Sequence, residues 1–332
     1  MRKIFCLLLV CGCGLFLSCR RNVAEVNEIQ GFTMGTYYRV LYCGTEDGAL
    51  PHEVDSLLKY WNAVVSVFDT TSCISRINRG ENVALDENFI ALFKESQRIS
   101  ILTSGAFDPT IAPLIDLYGF ARNAARDVSP ALRDSVLQFV GYEKVTLQNG
   151  CLNKTDNRIS LDFNAIAKGY AVDMLADWLQ KKGLSNCLVD IGGEVVTCGS
   201  KQGTPWRVGI QVPTQDRSGD IASTYDFDLT DAAVATSGNY RNYHEHEGKR
   251  VNHIVNPHTG CTENSDLLSV TVLAPRCVTA DALATAFMVM GLEKSLRLLK
   301  QHPEWAAYFI CGEQGGLKHY KTENFPAGER VD

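Results

Sequence analysis

Residues 279–291 read Thr-Ala-Asp-Ala-Leu-Ala-Thr-Ala-Phe-Met-Val-Met-Gly, which puts the carboxylate of Asp281 and the hydroxyl of Thr285 one helical turn apart on a single face. Both are oxygen ligands of the kind a hard cation takes. Alone, the pair equally describes a capped amphipathic helix. Further segments accompany it: Gly-Ala-Phe-Asp-Pro-Thr at 105–110, Leu-Asp-Phe-Asn-Ala-Ile-Ala-Lys-Gly-Tyr-Ala-Val-Asp at 161–173, Ala-Thr-Ser-Gly-Asn-Tyr at 235–240 and Asn-His-Ile-Val-Asn-Pro-His-Thr-Gly at 252–260. Lys168 falls near the start of a helix, where a helix N-terminus favours anions, although an isolated lysine there is ordinarily solvated. His253 carries an imidazole of near-neutral pKa, suited to taking a proton from a hydroxyl, while a lone strand histidine is more often structural. His244 and His246, two apart in a strand-like run, would face one way like zinc ligands.

The elements that must position these groups follow from periodicity. Residues 31–43, rich in aromatic and β-branched types, read as one strand. Helices are expected from Pro51 to about Val65, over about 86–103, about 129–140, 164–182 and 279–290. The helix at 164–182 carries the clearest stripe, Ile166, Tyr170, Met174 and Trp178, and ends at Lys181-Lys182-Gly183. A meander over 145–161 is expected to turn at Asp156-Asn157, and strands at 186–191 and 194–198 flank a hairpin turn at Gly192-Gly193. Further strands are expected near 206–212, 224–229, 233–237, 250–255, 267–273 and 306–311. Helices and strands come in blocks with hairpin connections, which predicts an α+β fold with mostly antiparallel sheet flanked by helices.

Taken in order, the five motif segments resemble the ApbE family of flavin transferases, over about residues 31–315. The resemblance implies a single ApbE-like catalytic domain, 31–320, that binds FAD, cleaves its pyrophosphate with Mg2+ and attaches FMN through a phosphoester to a Thr or Ser of a target flavoprotein, releasing AMP. It implies cation ligation by Asp281, Thr285 and the backbone carbonyl of Ala165, and FAD contacts from Met34, Phe68, Ala106, Phe107, Asp108, Asp162, Lys168 and Val255. It also implies that His253 is the general base. The chain departs from the family pattern in four places: Phe68 stands where a Tyr is common, Phe163-Asn164 replace Gly-Gly, and Asn252 and Asn256 each replace a titratable residue. Two alternatives remain open at this stage. Water in place of the protein hydroxyl would make the chain a magnesium-dependent FAD pyrophosphatase, and loss of chemistry would make it an FAD-binding lipoprotein.

The front of the chain has a different character. Met1-Arg-Lys followed by the apolar stretch Ile4–Leu17 has the form of a secretory signal, too short for a membrane-spanning helix of about twenty residues. Leu17-Ser18-Cys19 fits lipoprotein processing. The expectation is therefore a signal over 1–18, a lipid on Cys19, a tether over 19–30, a short C-terminal tail over 321–332, and a bacterial, membrane-anchored, extracytoplasmic protein at the periplasmic face. Of 12 cysteines, Cys43, Cys73, Cys151, Cys187, Cys198, Cys261, Cys277 and Cys311 remain after the leader. Their spacing gives no disulfide framework and no Cys-x-x-Cys metal signature, and Cys187 and Cys311 read as small buried hydrophobes. A net charge of −6 and the absence of any basic run argue against a nucleic-acid partner.

Overall fold

The run 31–43 is two strands, not one. In the computed structural model, which describes residues 25–331 apart from 121–126, 215–220, 240–242, 247–248, 264 and 314–315, and leaves out the side chains of 221–222, 243–246 and 249–251, β1 (Val26–Thr33) turns into β2 (Thr36–Cys43) at Met34-Gly35. Both turn residues have positive φ, 49° and 75°, a two-residue hairpin that a methionine gives no sequence signal for. The expected signal, its lipidated Cys19 and a histidine zinc pair at 244 and 246 lie outside the described residues or side chains.

Helices α1 (Leu50–Val65), α2 (Cys73–Asn78), α3 (Glu87–Leu102), α4 (Ala112–Leu117) and α5 (Pro130–Leu137) follow. Ser72, Asp86 and Ser129 cap the second, third and fifth of these by accepting hydrogen bonds from Ser75, Phe89 and Leu132 backbone N–H groups. The hairpin of β3 (Val145–Gln148) and β4 (Cys151–Lys154) turns at Asn149-Gly150, both at positive φ. The expectation of a turn at Asp156-Asn157 passed over this Asn-Gly, the strongest short hairpin signal in the stretch.

Next come α6 (Ala167–Lys181), β5 (Cys187–Ile191), β6 (Glu194–Cys198), β7 (Trp206–Pro213), β8 (Ile221–Leu229), β9 (Ala232–Gly238), β10 (Tyr243–His246), β11 (Lys249–Asn252) and β12 (Leu267–Ala274). The chain closes with α7 (Cys277–Met290), α8 (Leu292–Leu299), β13 (Ala306–Glu313), β14 (Gly316–Lys321) and β15 (Gly328–Val331). The strand expected over 250–255 stops at Asn252, and the helix expected from 164 begins at Ala167 because residues 163–166 form a turn.

Eight strands make one sheet in the order β1-β2-β5-β6-β9-β12-β13-β14, with every neighbouring pair antiparallel. Its two faces are covered differently. Helices α1, α3, α6 and α7 bury one face around Trp61, Phe89, Phe163 and Phe287. A second sheet, β15-β8-β7, covers the other with Trp206, Ile210, Phe227 and Phe325. Each such aromatic contributes about 1.5–3 kcal/mol by burial. The α+β class and the antiparallel sheet are as expected, while the covering small sheet replaces helices on one side.

The first and last described elements also take part in the fold. β1 begins at Val26, inside the stretch read as a tether, and β15 pairs with β8 while Phe325 is buried, inside the stretch read as a tail. Among the described residues no helix is long and apolar enough to cross a membrane.

Candidate active site

Helix α7 is buried almost all round, from Cys277 to Ala284 and again over Ala286–Met288, so its polar residues need partners. Asp281, 3% exposed, accepts the Gly169 N–H at 2.9 Å and so caps the first turn of α6. In return Asp173 of α6 accepts the Cys277 and Val278 N–H groups, both at 2.9 Å, and caps α7. The two helices touch at Gly169, where a Cβ would lie 2.5 Å from the Cys277 carbonyl oxygen and 2.7 Å from Asp281 Cβ. Only glycine permits that approach.

Asp281 of this contact lines a cleft of about 1410 Å³. Every residue assigned from the motifs lines it: Asp281, Thr285 and Ala165; Asp162 and Lys168; Ala106, Phe107 and Asp108; Met34 and Phe68; His253 and Val255. Thr285, one turn after Asp281, stands with its Oγ1 3.0 Å from Ser237 Oγ of β9. Asp281 carboxylate, Thr285 hydroxyl and Ala165 carbonyl are hard oxygen donors on residues that line one cleft, a set whose chemistry fits Mg2+ with positions left for phosphate oxygens. Among the described residues no group of three or more His, Cys, Asp or Glu side chains is placed to hold a metal ion.

Lys168 pairs with Glu194, the first residue of β6. Burial works against the ammonium, but the carboxylates of Glu194 and Asp281 outweigh it and raise the Lys168 pKa. Glu194 is 3% exposed and its pKa is pushed up to about 7, chiefly by burial, with Lys168 pulling it down and Asp281 adding to the rise. Its second oxygen, Oε2, is buried without a hydrogen-bond partner. With both carboxylates ionised, two negative charges face one ammonium, and the surplus favours a cation. Sequence reasoning missed Glu194; the Gly192-Gly193 turn that presents it was visible, but nothing in the sequence ties it to Lys168.

Before α6, Asp162 is 6% exposed and accepts the Asn164 N–H at 2.6 Å and Asn164 Nδ2 at 3.1 Å. Burial pushes its pKa up to about 6. The departure at 163–164 is thereby explained: Phe163 fills the core edge-on to Phe89, at 5.6 Å between centroids, and Asn164 holds Asp162. Asp108 is also buried, which raises its pKa. Its Oδ1 takes Thr110 N–H and Oγ1, at 2.8 and 2.6 Å, and its Oδ2 takes Tyr142 N–H at 2.8 Å. The carboxylate therefore builds the 106–110 loop.

At the rim, Phe68 is 60% exposed, an aromatic face open to a planar ligand. Met34, at φ 49°, holds the opposite hairpin in a conformation a non-glycine residue seldom adopts. His253 follows the end of β11, half-buried, with its ring edge-on to Phe120 at 6.2 Å. Its flanks are fixed by the two asparagines. Asn252 Oδ1 accepts Ile254 N–H at 2.9 Å, and its Nδ2 donates to the Glu263 carbonyl. Asn256 Oδ1 accepts His258 N–H at 2.9 Å, and its Nδ2 donates to Glu263 Oε1 at 2.7 Å. Val255 is buried beside Leu114, Leu117 and Val140.

A hydroxyl-bearing acceptor, an anionic ligand and a hard cation could thus meet in one space. Comparison with known proteins points to one family. A family model described as ApbE family matches residues 34–309. The FAD:protein FMN transferase of Vibrio cholerae serotype O1 is 36% identical over 331 residues, 96% of this chain and 95% of that protein. The solved structure "Flavin Transferase ApbE from Vibrio cholerae" superposes with a TM-score of 0.82 at 35% identity, covering 91% of this chain and 98% of that one. The apo form of Pseudomonas stutzeri flavinyl transferase ApbE gives 0.80 at 32% identity, covering 90% and 95%.

Proposed function

The chain belongs to the ApbE family, and from that premise we propose that it is an FAD:protein FMN transferase that uses magnesium and releases AMP. The observation that supports this reading is the convergence of residues from separate segments, 34, 68, 106–108, 162–168, 253–255 and 281–285, on one cleft.

In the proposed reaction FAD lies with its pyrophosphate over the start of α6, where the Lys168 ammonium and the helix N-terminus meet its charge. Phe68 stacks on the flavin, and the 106–108 loop receives the nucleotide. His253 takes the proton from a Thr or Ser hydroxyl of a flavoprotein acceptor. That oxygen attacks the FMN phosphorus in line, the P–O–P bond breaks, and AMP departs with the electron pair. Mg2+ held by Asp281, Thr285 and the Ala165 carbonyl would neutralise charge on the pyrophosphate when bound. Glu194 holds Lys168 within this site.

The leader pattern supports an extracytoplasmic, lipid-anchored place of action. Lipid labelling that disappears in Cys19→Ala tests it.

The deciding experiment incubates the chain from residue 20 onward with FAD, Mg2+ and a candidate acceptor, and follows acceptor mass and AMP together. A mass gain equal to FMN on Thr or Ser, lost in Asp281→Ala, is expected. AMP without the gain, across several acceptors, would replace transfer by FAD hydrolysis, and tight FAD binding without either product would leave a carrier.

A further inference from the structure

Cys187 opens β5 and Cys198 closes β6, and the register of the hairpin sets them directly opposite each other. Counted from the two-residue turn, with Ile191 opposite Glu194, the two cysteines form a hydrogen-bonded pair, whose Cα atoms stand about 5.5 Å apart, inside the range of about 4.4–6.8 Å that a disulfide spans. Both side chains point into the helix-covered core, 0% and 7% exposed. The two thiols interact, which raises the Cys187 pKa and lowers that of Cys198, and Gln180 Nε2 donates to the Cys198 sulfur at 2.9 Å.

The other nearby thiols are turned elsewhere. Along β2 side chains alternate, so Tyr42 faces the helices and Cys43 faces the small sheet, its thiol directed at the Ser200 carbonyl. Cys277 directs its thiol at the Val234 carbonyl, 3.8 Å away.

We propose that Cys187 and Cys198 form a disulfide in an oxidising compartment, a covalent clasp at the open end of the β5–β6 hairpin. The oxidant is a small or protein disulfide. The Cys198 thiolate, favoured by the hydrogen bonds it accepts, attacks one oxidant sulfur and expels the other as a thiol. Cys187, on losing its proton, then attacks the Cys198 sulfur of the mixed disulfide and releases the second oxidant thiol. Two S–H bonds are lost, one S–S bond forms, and two electrons and two protons end on the oxidant.

The clasp acts on the cleft through strand register. Glu194, Val196 and Cys198 alternate onto one face of β6, so the register that opposes the two cysteines is the one that turns Glu194 toward Lys168. A one-residue slip would send Glu194 to the other face. At the closed end the turn is held by Asp190, which accepts the Gly193 N–H at 2.8 Å. The clasp pins the end that has no turn.

The test needs no assumption about flavin. The full chain is exposed to oxidised glutathione, once folded and once during refolding, then unfolded in alkylating reagent and cleaved after Glu194, between the two cysteines. Under either treatment the expected result is two peptides joined through Cys187 and Cys198 and separated by reductant. Wild-type protein so oxidised should melt about 5 °C above its reduced form. Cys43→Ser should keep this gain and Cys198→Ser should lose it; the wild-type comparison stands even where a variant does not fold. Both cysteines alkylated after both treatments, or a crosslink to Cys43, would overturn the proposal.

Discussion

Asp281 of α7 accepts the Gly169 N–H of α6, and Asp173 of α6 accepts the first N–H groups of α7. Each helix supplies the cap of the other, so the residue assigned to the cation is held by a contact that the fold itself requires. The two roles of Asp281 are separable. Asp281→Asn keeps an acceptor for Gly169 and loses the charge, so the protein should melt near wild type while its affinity for Mn2+, read by calorimetry, falls at least tenfold. Asp173→Ala leaves two buried N–H groups unpaired and should cost about 2–6 kcal/mol, about 1–3 for each, in denaturant titration. Equal loss of stability in the two variants would sink this division.

Glu194 is the second control point of the cleft. Removing one partner of a buried pair costs about 3–5 kcal/mol when nothing replaces it; here Asp281 also faces Lys168, so Glu194→Ala should fall at or below the low end. Glu194→Gln keeps a carbonyl for the Lys168 ammonium and should be milder in stability. Both should weaken FAD binding, measured by flavin fluorescence. A normal affinity in Glu194→Ala would remove Glu194 from the site.

Much of this is legible in the sequence. The 3.6-residue stripe of 164–182 and the apolar run 279–290 located α6 and α7 well, because burial on a helix leaves a periodic trace. The motif residues all reach the cleft. What escaped was information that lives between elements: the Met34-Gly35 turn depends on a methionine at positive φ, the β15 strand at the chain end depends on β8 as a template, and Glu194 matters only because a hairpin turn puts it opposite Lys168. Asn252 and Asn256 looked like lost titratable groups. Their hydrogen bonds show them holding the loop through Glu263, a residue the motif pattern did not mark.

Asp162 gives stability a pH dependence of known sign. Its folded pKa of about 6 lies above its ordinary value of about 4. Between those values the folded state holds a proton that the unfolded state has released, so stability is full below about pH 4 and falls until about pH 6. The loss is on the order of 2–3 kcal/mol at most. Asp173 runs in the same direction, also at about 6, so wild type alone cannot separate them. Asp162→Asn can still pair with Asn164 through a flipped amide. Urea titrations from pH 4 to 7 should show the difference between this variant and wild type growing with pH; a constant difference would contradict it.

The asparagine at 256 is compensated locally, which makes restoring the family's more common Asp informative. Asn256 Nδ2 donates to Glu263 Oε1 at 2.7 Å while its Oδ1 takes the His258 N–H. Asn256→Asp preserves the second contact and turns the first into two carboxylates at hydrogen-bond distance. At these half-buried positions the expected cost is about 0.5–1 kcal/mol, largest at low ionic strength. Glu263→Gln removes the repulsion and offers an amide to the new carboxylate, so the double variant should recover most of the loss. A double-mutant cycle by thermal or urea unfolding measures the coupling. Strictly additive single costs would show that Glu263 plays no part in holding the loop after His253, and the loop's asparagines would then need another explanation.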